Sequence, residues 1–242
     1  MPDSTFKIKK EKPADTHTSV FPRKYASKLS YKGISVIEIA ITYPHVEIYG
    51  NPRVSQYISY FYRDGAKRYY EKASHELYSM AVKEYLNSTA QHYPFRPYQV
   101  VQNFEVTFNR GSLLSIYYDR YEYTSGAHGN TIRYADTFMT NVGKHMKLED
   151  FFEDSYYKSV IFEYITQEIK KQKDEGNSYY FDDYMKNVFR YFDENNYYLT
   201  EGGIAIFYQL YTIAAYAAGI PVFIIPFEEF GGSFKKRLFK TV

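Results

Sequence analysis

Apolar and polar residues change period several times along the chain, and each change marks a predicted element. In residues 34–49, ISVIEIAITYPHVEIY, they alternate one by one, as in a strand with one buried face. The pattern reads as a strand, a bend at Tyr43-Pro44 and a second short strand, because proline cannot donate to a central ladder. Asn51-Pro52 then stops it. Over 55–93 the period lengthens. Ile58, Phe61, Tyr62, Tyr69, Ala73, Leu77, Ala81 and Tyr85 recur at helical steps, with Gly65 as a place to bend and Pro94 and Pro97 as stops.

Two β-rich runs follow, PYQVVQNFEVTF and LLSIYYDRYEYT. They meet at Asn109-Arg110-Gly111-Ser112, a hairpin turn with Gly111 free to take a positive φ. TIRYADTFM continues as a third strand, so YTSGAHGN (123–130) is a strand-to-strand connection. From Gly143 the pattern is a turn and a short helical segment. Residues 156–173 form a helix with Val160, Ile161, Tyr164, Ile165 and Ile169 on one face, DEGNS is its polar exit, and 181–192 form a weaker helix. NYYLT and IAIFYQL make a hairpin across Glu201-Gly202-Gly203, and the loop YTIAAYAAG leads to a closing strand, PVFIIPF. Strands and helices in this order predict an α+β fold, antiparallel sheets packed against helices in two abutting subdomains. The division is a polar leader over 1–33, a front subdomain over 34–140 and a rear subdomain over 141–242.

Composition narrows the function classes. The 242 residues can bury a substantial core. Thirty basic and 28 acidic residues are mixed along the chain, which gives no one-sided positive field, so no nucleic-acid partner is expected; Lys235-Lys236-Arg237 reads as a solvated tail. With no cysteine, disulfides, thiolate chemistry and Cys-ligated zinc are excluded. No stretch has the roughly 18 apolar residues of a membrane span, and the N-terminus lacks the apolar centre of a signal peptide. A membrane is expected only through a segment absent from this chain. Thirty Tyr and 19 Phe with no Trp read first as the compositional bias of an AT-rich genome, and second as a surface able to grip a partner.

The six histidines, His17, His45, His75, His92, His128 and His145, show no metal-ligand spacing, and Asp174-Glu175-Gly176-Asn177 and Asp193-Glu194-Asn195-Asn196 lack calcium-loop periodicity. Neither metal nor cofactor is expected. Nucleophile elbows and phosphate loops are absent from the sequence. Ser125, Gly126, His128 and Gly129 remain. A serine three residues from a histidine could serve as nucleophile and base, but the third group and the oxyanion hole are not legible. The structural reading is preferred: the glycines bend the chain, and His128 folds back onto a nearby carbonyl or carboxylate.

Three segments, YTSGAHGN, GKHMKLEDFF and YYLTEGGIAIFYQLYTIAAYAAGIPVFIIPFEEF, resemble in order the signatures of the domain-of-unknown-function family 3298 with its associated front domain, family 4163. That bacterial extracytoplasmic family occurs in the outer half of lysozyme-sensing anti-sigma-V factors and in a non-catalytic region of a peptidoglycan deacetylase. The resemblance spans about 35 to 230. It implies a turn at Gly126, Ala127, His128 and Gly129, and a loop at Tyr211, Ile213, Ala214, Tyr216, Ala217 and Gly219. Ser125 replaces a glycine of the family pattern, Ala215 a proline, Thr212 a glutamate and Gln209-Leu210 an Asn-Pro pair, which puts lysozyme binding itself in question while leaving the fold intact.

What the resemblance implies is a non-enzymatic extracytoplasmic binding or sensing domain of the cell envelope, recognising a lysozyme-like protein or peptidoglycan. Its binding residues would be Tyr123, Ser125, Gly126, His128, Gly129, Tyr211, Ala215 and Tyr216. Two alternatives stay open: a cell-wall glycan-modifying enzyme or its accessory domain using His128 with an adjacent carboxylate, and a scaffold without a ligand.

Overall fold

A computed structural model describes residues 17–176 and 179–239. The fold is α+β, with a six-stranded sheet in the order β1-β2-β3-β4-β5-β6 and a three-stranded sheet in the order β7-β8-β9. The first sheet comprises β1 (Thr18–Tyr31), β2 (Ile34–Ile48), β3 (Tyr98–Arg110), β4 (Leu113–Tyr123), β5 (Asn130–Met139) and β6 (Lys144–Met146). It therefore extends past residue 140, the boundary drawn from the sequence. Residues 18–31, assigned above to a polar leader, form β1 instead; positions 1–16 of that leader lie outside the described residues. β1 escapes a pattern reading because it is a half-exposed ribbon edge. Of its side chains Val20, Tyr25, Leu29 and Tyr31 pack on the core clusters, while Pro22, Arg23, Lys24 and Lys28 face outward, as suits an edge strand.

β2 is one strand of 15 residues, not two. Pro44 is accommodated because it faces Pro22 of β1, and because the parallel pairing with β3 ends at Ile41. Along the edge beyond that point, side chains replace the missing strand. Gln102 donates to the Thr42 carbonyl (3.0 Å), Ser59 bonds both N–H and C=O of Val46 (2.9 Å each), and Ser55 does the same for Ile48. Pro44, on the same side of the strand, has no N–H to satisfy.

The parallel β2–β3 pair departs from the all-antiparallel expectation, and it needs a long crossover. That crossover is a continuous helical run, α1 (Pro52–Lys72) and α2 (Tyr78–Ala90), joined by a π-turn over Ala73–Leu77. Asn51-Pro52, read as a strand stop, also starts the helix: the Asn51 side chain accepts from Val54 N–H, and Pro52 occupies the first turn. The irregularity lies at the π-turn, while Gly65 sits within regular helix. The helical stripe Ile58, Tyr62, Ala66, Tyr69, Ala73, Leu77 and Ala81 is buried against β2, β3 and β4.

The rear part places α3 (Tyr157–Asp174) and α4 (Tyr184–Arg190) on the small sheet of β7 (Tyr197–Thr200), β8 (Gly203–Phe207) and β9 (Val222–Ile225). Ile161, Ile165 and Ile169 of α3 are wholly buried, each worth about 1.5–3 kcal/mol of hydrophobic stabilisation. β4 is the shared wall. Its residues Leu114, Ile116 and Tyr118 face α1, while Leu113, Ser115 and Tyr117 face the small sheet, where the Leu199 N–H donates to Ser115 Oγ at 3.0 Å. Among the described residues, no helix is long and apolar enough to cross a membrane.

Candidate functional site

The β4–β5 connection and the loop after β8 come together at one corner. Ser125 and Gly126 both take φ of 91°, and this turns the chain between the two strands. Glycine carries such a φ freely, whereas a serine there costs roughly 1–2 kcal/mol. Gly129 is required for another reason. A Cβ at that position would overlap the ring of Tyr121, which approaches the backbone closely there. Tyr123 closes the turn by donating from its hydroxyl to the Gly126 carbonyl at 3.1 Å.

The opposing loop is held by Gln209, whose side-chain amide acts as a short strand. It accepts from Arg133 N–H (3.1 Å) and donates to the Arg133 carbonyl (2.7 Å) on β5. Thr212 folds back onto the Gln209 carbonyl, and Ala215 N–H reaches the Tyr179 carbonyl at 2.8 Å. Both Gln209 and Thr212 are departures from the family pattern, and both brace the loop.

So positioned, Tyr216 stacks on His128 with ring centroids 4.0 Å apart and planes 21° apart, and Tyr211 lies beside both. Their polar atoms fix the geometry. The Gly129 carbonyl accepts from the Tyr216 hydroxyl (3.1 Å) and faces His128 Nδ1 (2.9 Å), while Tyr211 Oη lies 3.2 Å from His128 Nε2. A carbonyl can only accept, so neutral His128 carries its proton on Nδ1, and Nε2 accepts from the Tyr211 hydroxyl. Tyr211 is 53% exposed and also has a positive φ, 64°. Tyr216 is half-buried and outside the core clusters.

The structure thus brings together His128, Gly129, Tyr211 and Tyr216. Tyr123, Ser125 and Gly126 lie on the adjoining turn, with Ser125 Oγ 3.5 Å from Glu84, and Ala215 serves through its backbone. Tyr121 and Gln209 were not recognised as site residues; the substitution at Gln209 was the one available signal for it. Both His128 nitrogens face a carbonyl and a phenol, neither of them a carboxylate. Among the described residues, no group of three or more His, Cys, Asp or Glu side chains is arranged to hold a metal.

A second feature adjoins this corner on β4 and β5. Arg133 makes a bidentate pair with Asp119 (2.8 and 2.7 Å) and covers the Tyr117 ring. Burial works against its charge, yet the Asp119 hydrogen bonds outweigh it and raise its pKa. On the opposite face Arg120 lines a pocket among Tyr69, Tyr118 and Tyr134. Burial raises the Tyr69 and Tyr118 hydroxyl pKa well above the ordinary value, so both stay neutral.

Comparison with known proteins bears out the resemblance. Residues 149–228 match the profile of DUF3298, described as a protein of unknown function, and residues 31–131 match the profile described as Deacetylase PdaC. The corner straddles the two, with the His128 turn in the front match and the tyrosine loop in the rear match. Among solved structures, a DUF3298-family member from Bacteroides fragilis aligns with a TM-score of 0.69 at 16% identity, over 92% of this chain and 96% of its own. A DUF3298-family protein from Pseudomonas aeruginosa aligns with a TM-score of 0.58 at 16% identity, over 93% and 96%. These likenesses establish the fold. No curated protein matches the chain.

Proposed function

Because a DUF3298 region follows a PdaC region in this chain, we propose a non-enzymatic, extracytoplasmic binding domain of a bacterial cell-envelope protein. Its recognition surface is the Tyr211–His128–Tyr216 stack, and its partner is a lysozyme-like protein. The observation that carries this reading is the cost of presenting the stack. Of the four non-glycine residues with positive φ among those described, Tyr211 belongs to the stack and Ser125 lies on the turn beside it, and strain held in place by surrounding bonds is a mark of functional corners. Ordered aromatic rings lose little freedom on docking, so tyrosines pinned in advance make efficient anchors. A catalytic use of His128 is less well supported, since neither ring nitrogen faces a carboxylate that could tune it as acid or base.

Calorimetry with lysozyme and with soluble peptidoglycan fragments tests the proposal. Tyr211→Ala is expected to weaken lysozyme binding about 30-fold, the effect of losing a central anchor worth about 2 kcal/mol. Heat with peptidoglycan alone that Tyr211→Ala abolishes would move the partner from protein to glycan, and no Tyr211-dependent heat with either would end the reading.

A further inference from the structure

A pocket of about 500 Å³ lies between α1 and the helix-facing side of β4 and β5. Its volume is that of a small-molecule site. Arg120 stands in its wall with an unusual set of partners. Nε donates to Gln102 Oε1 at 2.8 Å and Nη2 donates to the Gly65 carbonyl at 3.2 Å. Gln102 is buried and is itself tied to the Thr42 carbonyl, so the guanidinium is held from behind by a fixed frame. Three tyrosine rings, Tyr69, Tyr118 and Tyr134, surround it with centroids 4.4, 5.4 and 5.1 Å away.

What Arg120 lacks is an anion. Among the described residues no carboxylate pairs with it, and two of its five N–H donors are engaged. Its charged neighbours in the pocket are already matched: Lys72 pairs with Glu122 at 3.0 Å, and Arg68 pairs with Asp64. One positive charge is left over. A preorganised fork with free donors fits a carboxylate, and a single excess charge matches a monoanion better than a dianionic phosphate, whose second charge would find no partner. The rest of the wall decides what carries that carboxylate. Tyr134 offers a partly exposed flat ring, stacked on Tyr118 at 5.3 Å, and Thr124 and Asn130 add polar groups. An apolar plate beside hydroxyl and amide groups suits a polyhydroxylated ring.

We propose that this pocket binds a small carboxylate-bearing saccharide, with Arg120 as the anchor of the carboxylate. The site is separate from the Tyr211 corner, and the two can be tested apart.

The test follows the Arg120 Nε–H signal by nitrogen-15 NMR. The full chain is titrated with N-acetylmuramic acid and D-glucuronate, and in parallel with the neutral N-acetylglucosamine and glucose. The acidic sugars are expected to shift that signal saturably, and the neutral ones to bind at least roughly tenfold more weakly. Arg120→Lys keeps the charge without the fork and should lose about tenfold in affinity for the acids. The wild-type signal does not depend on that variant folding. Tyr211→Ala should leave the titration unchanged, so failure of the corner reading and failure of this one are distinguishable. An absent shift with both acids, an equal response to neutral sugars, or inorganic phosphate competing as well as the acids would each overturn the proposal.

Discussion

The two faces of the β4–β5 strand pair carry nearly the same chemistry and come to opposite ends. Each presents an arginine among tyrosine rings. On the face toward the small sheet, Arg133 is closed in by Asp119 and lies within 6.0 Å of the Phe207 ring. On the face toward α1, Arg120 has the rings and the backbone carbonyl but no carboxylate. The difference arises from register. Asp119 pairs across the strands with Arg133, while Arg120 pairs with Ile132. A one-residue alternation thus sets a neutralised structural cation back to back with an uncompensated one. The same residue type can therefore serve stability or recognition according to which neighbour the pleat puts beside it.

That contrast can be broken most forcefully by removing the small sheet. Gly203 begins β8 at φ 154°, and a Cβ there would overlap the Ile225 carbonyl oxygen of β9. Gly203→Ala is expected to destabilise the fold by about 3 kcal/mol or more, because backbone must move to admit the methyl group. Denaturant unfolding measures this, and a loss under about 1 kcal/mol would mean that the sheet edge yields easily.

The arginines themselves come next. Arg133→Met should cost about 2 kcal/mol, since it strands a partly buried carboxylate, whereas Arg120→Met removes bonds to neutral groups and should cost about 1 kcal/mol. Equal losses would undo the distinction between a structural and a reserved cation. The smallest expected effect is a gain. Ser125→Gly relieves the positive φ at the turn and should raise stability by about 0.5–1 kcal/mol, with the Tyr211–His128 contact intact by NMR. A loss instead would show that the Ser125 hydroxyl at Glu84 outweighs the strain.

Periodicity carried most of the fold because most elements have one wet and one dry face. The helix stripe from Ile58 to Ala81, the Gly111 turn and the isoleucines of α3 lie where their spacing put them. β1 was missed because a ribbon edge needs few apolar residues, and β6 because three residues hold no period. The parallel β2–β3 pair is a non-local choice, which only the length of the intervening helix hinted at. At the corner, the glycines and His128 were visible as a turn. The clasp of Gln209 on β5 was not, since an amide imitating a strand has no pattern of its own. Arg120 looked like any polar residue on an alternating strand; only the register reveals that its charge is unanswered.

Ser55 and Ser59, one helical turn apart, occupy the hydrogen-bonding groups that β2 would otherwise extend to a neighbour. Two hydroxyls thereby end a sheet in mid-strand. Their loss would expose a ready template to other copies of the chain, so a pair of small polar residues guards the molecule against sticking to itself.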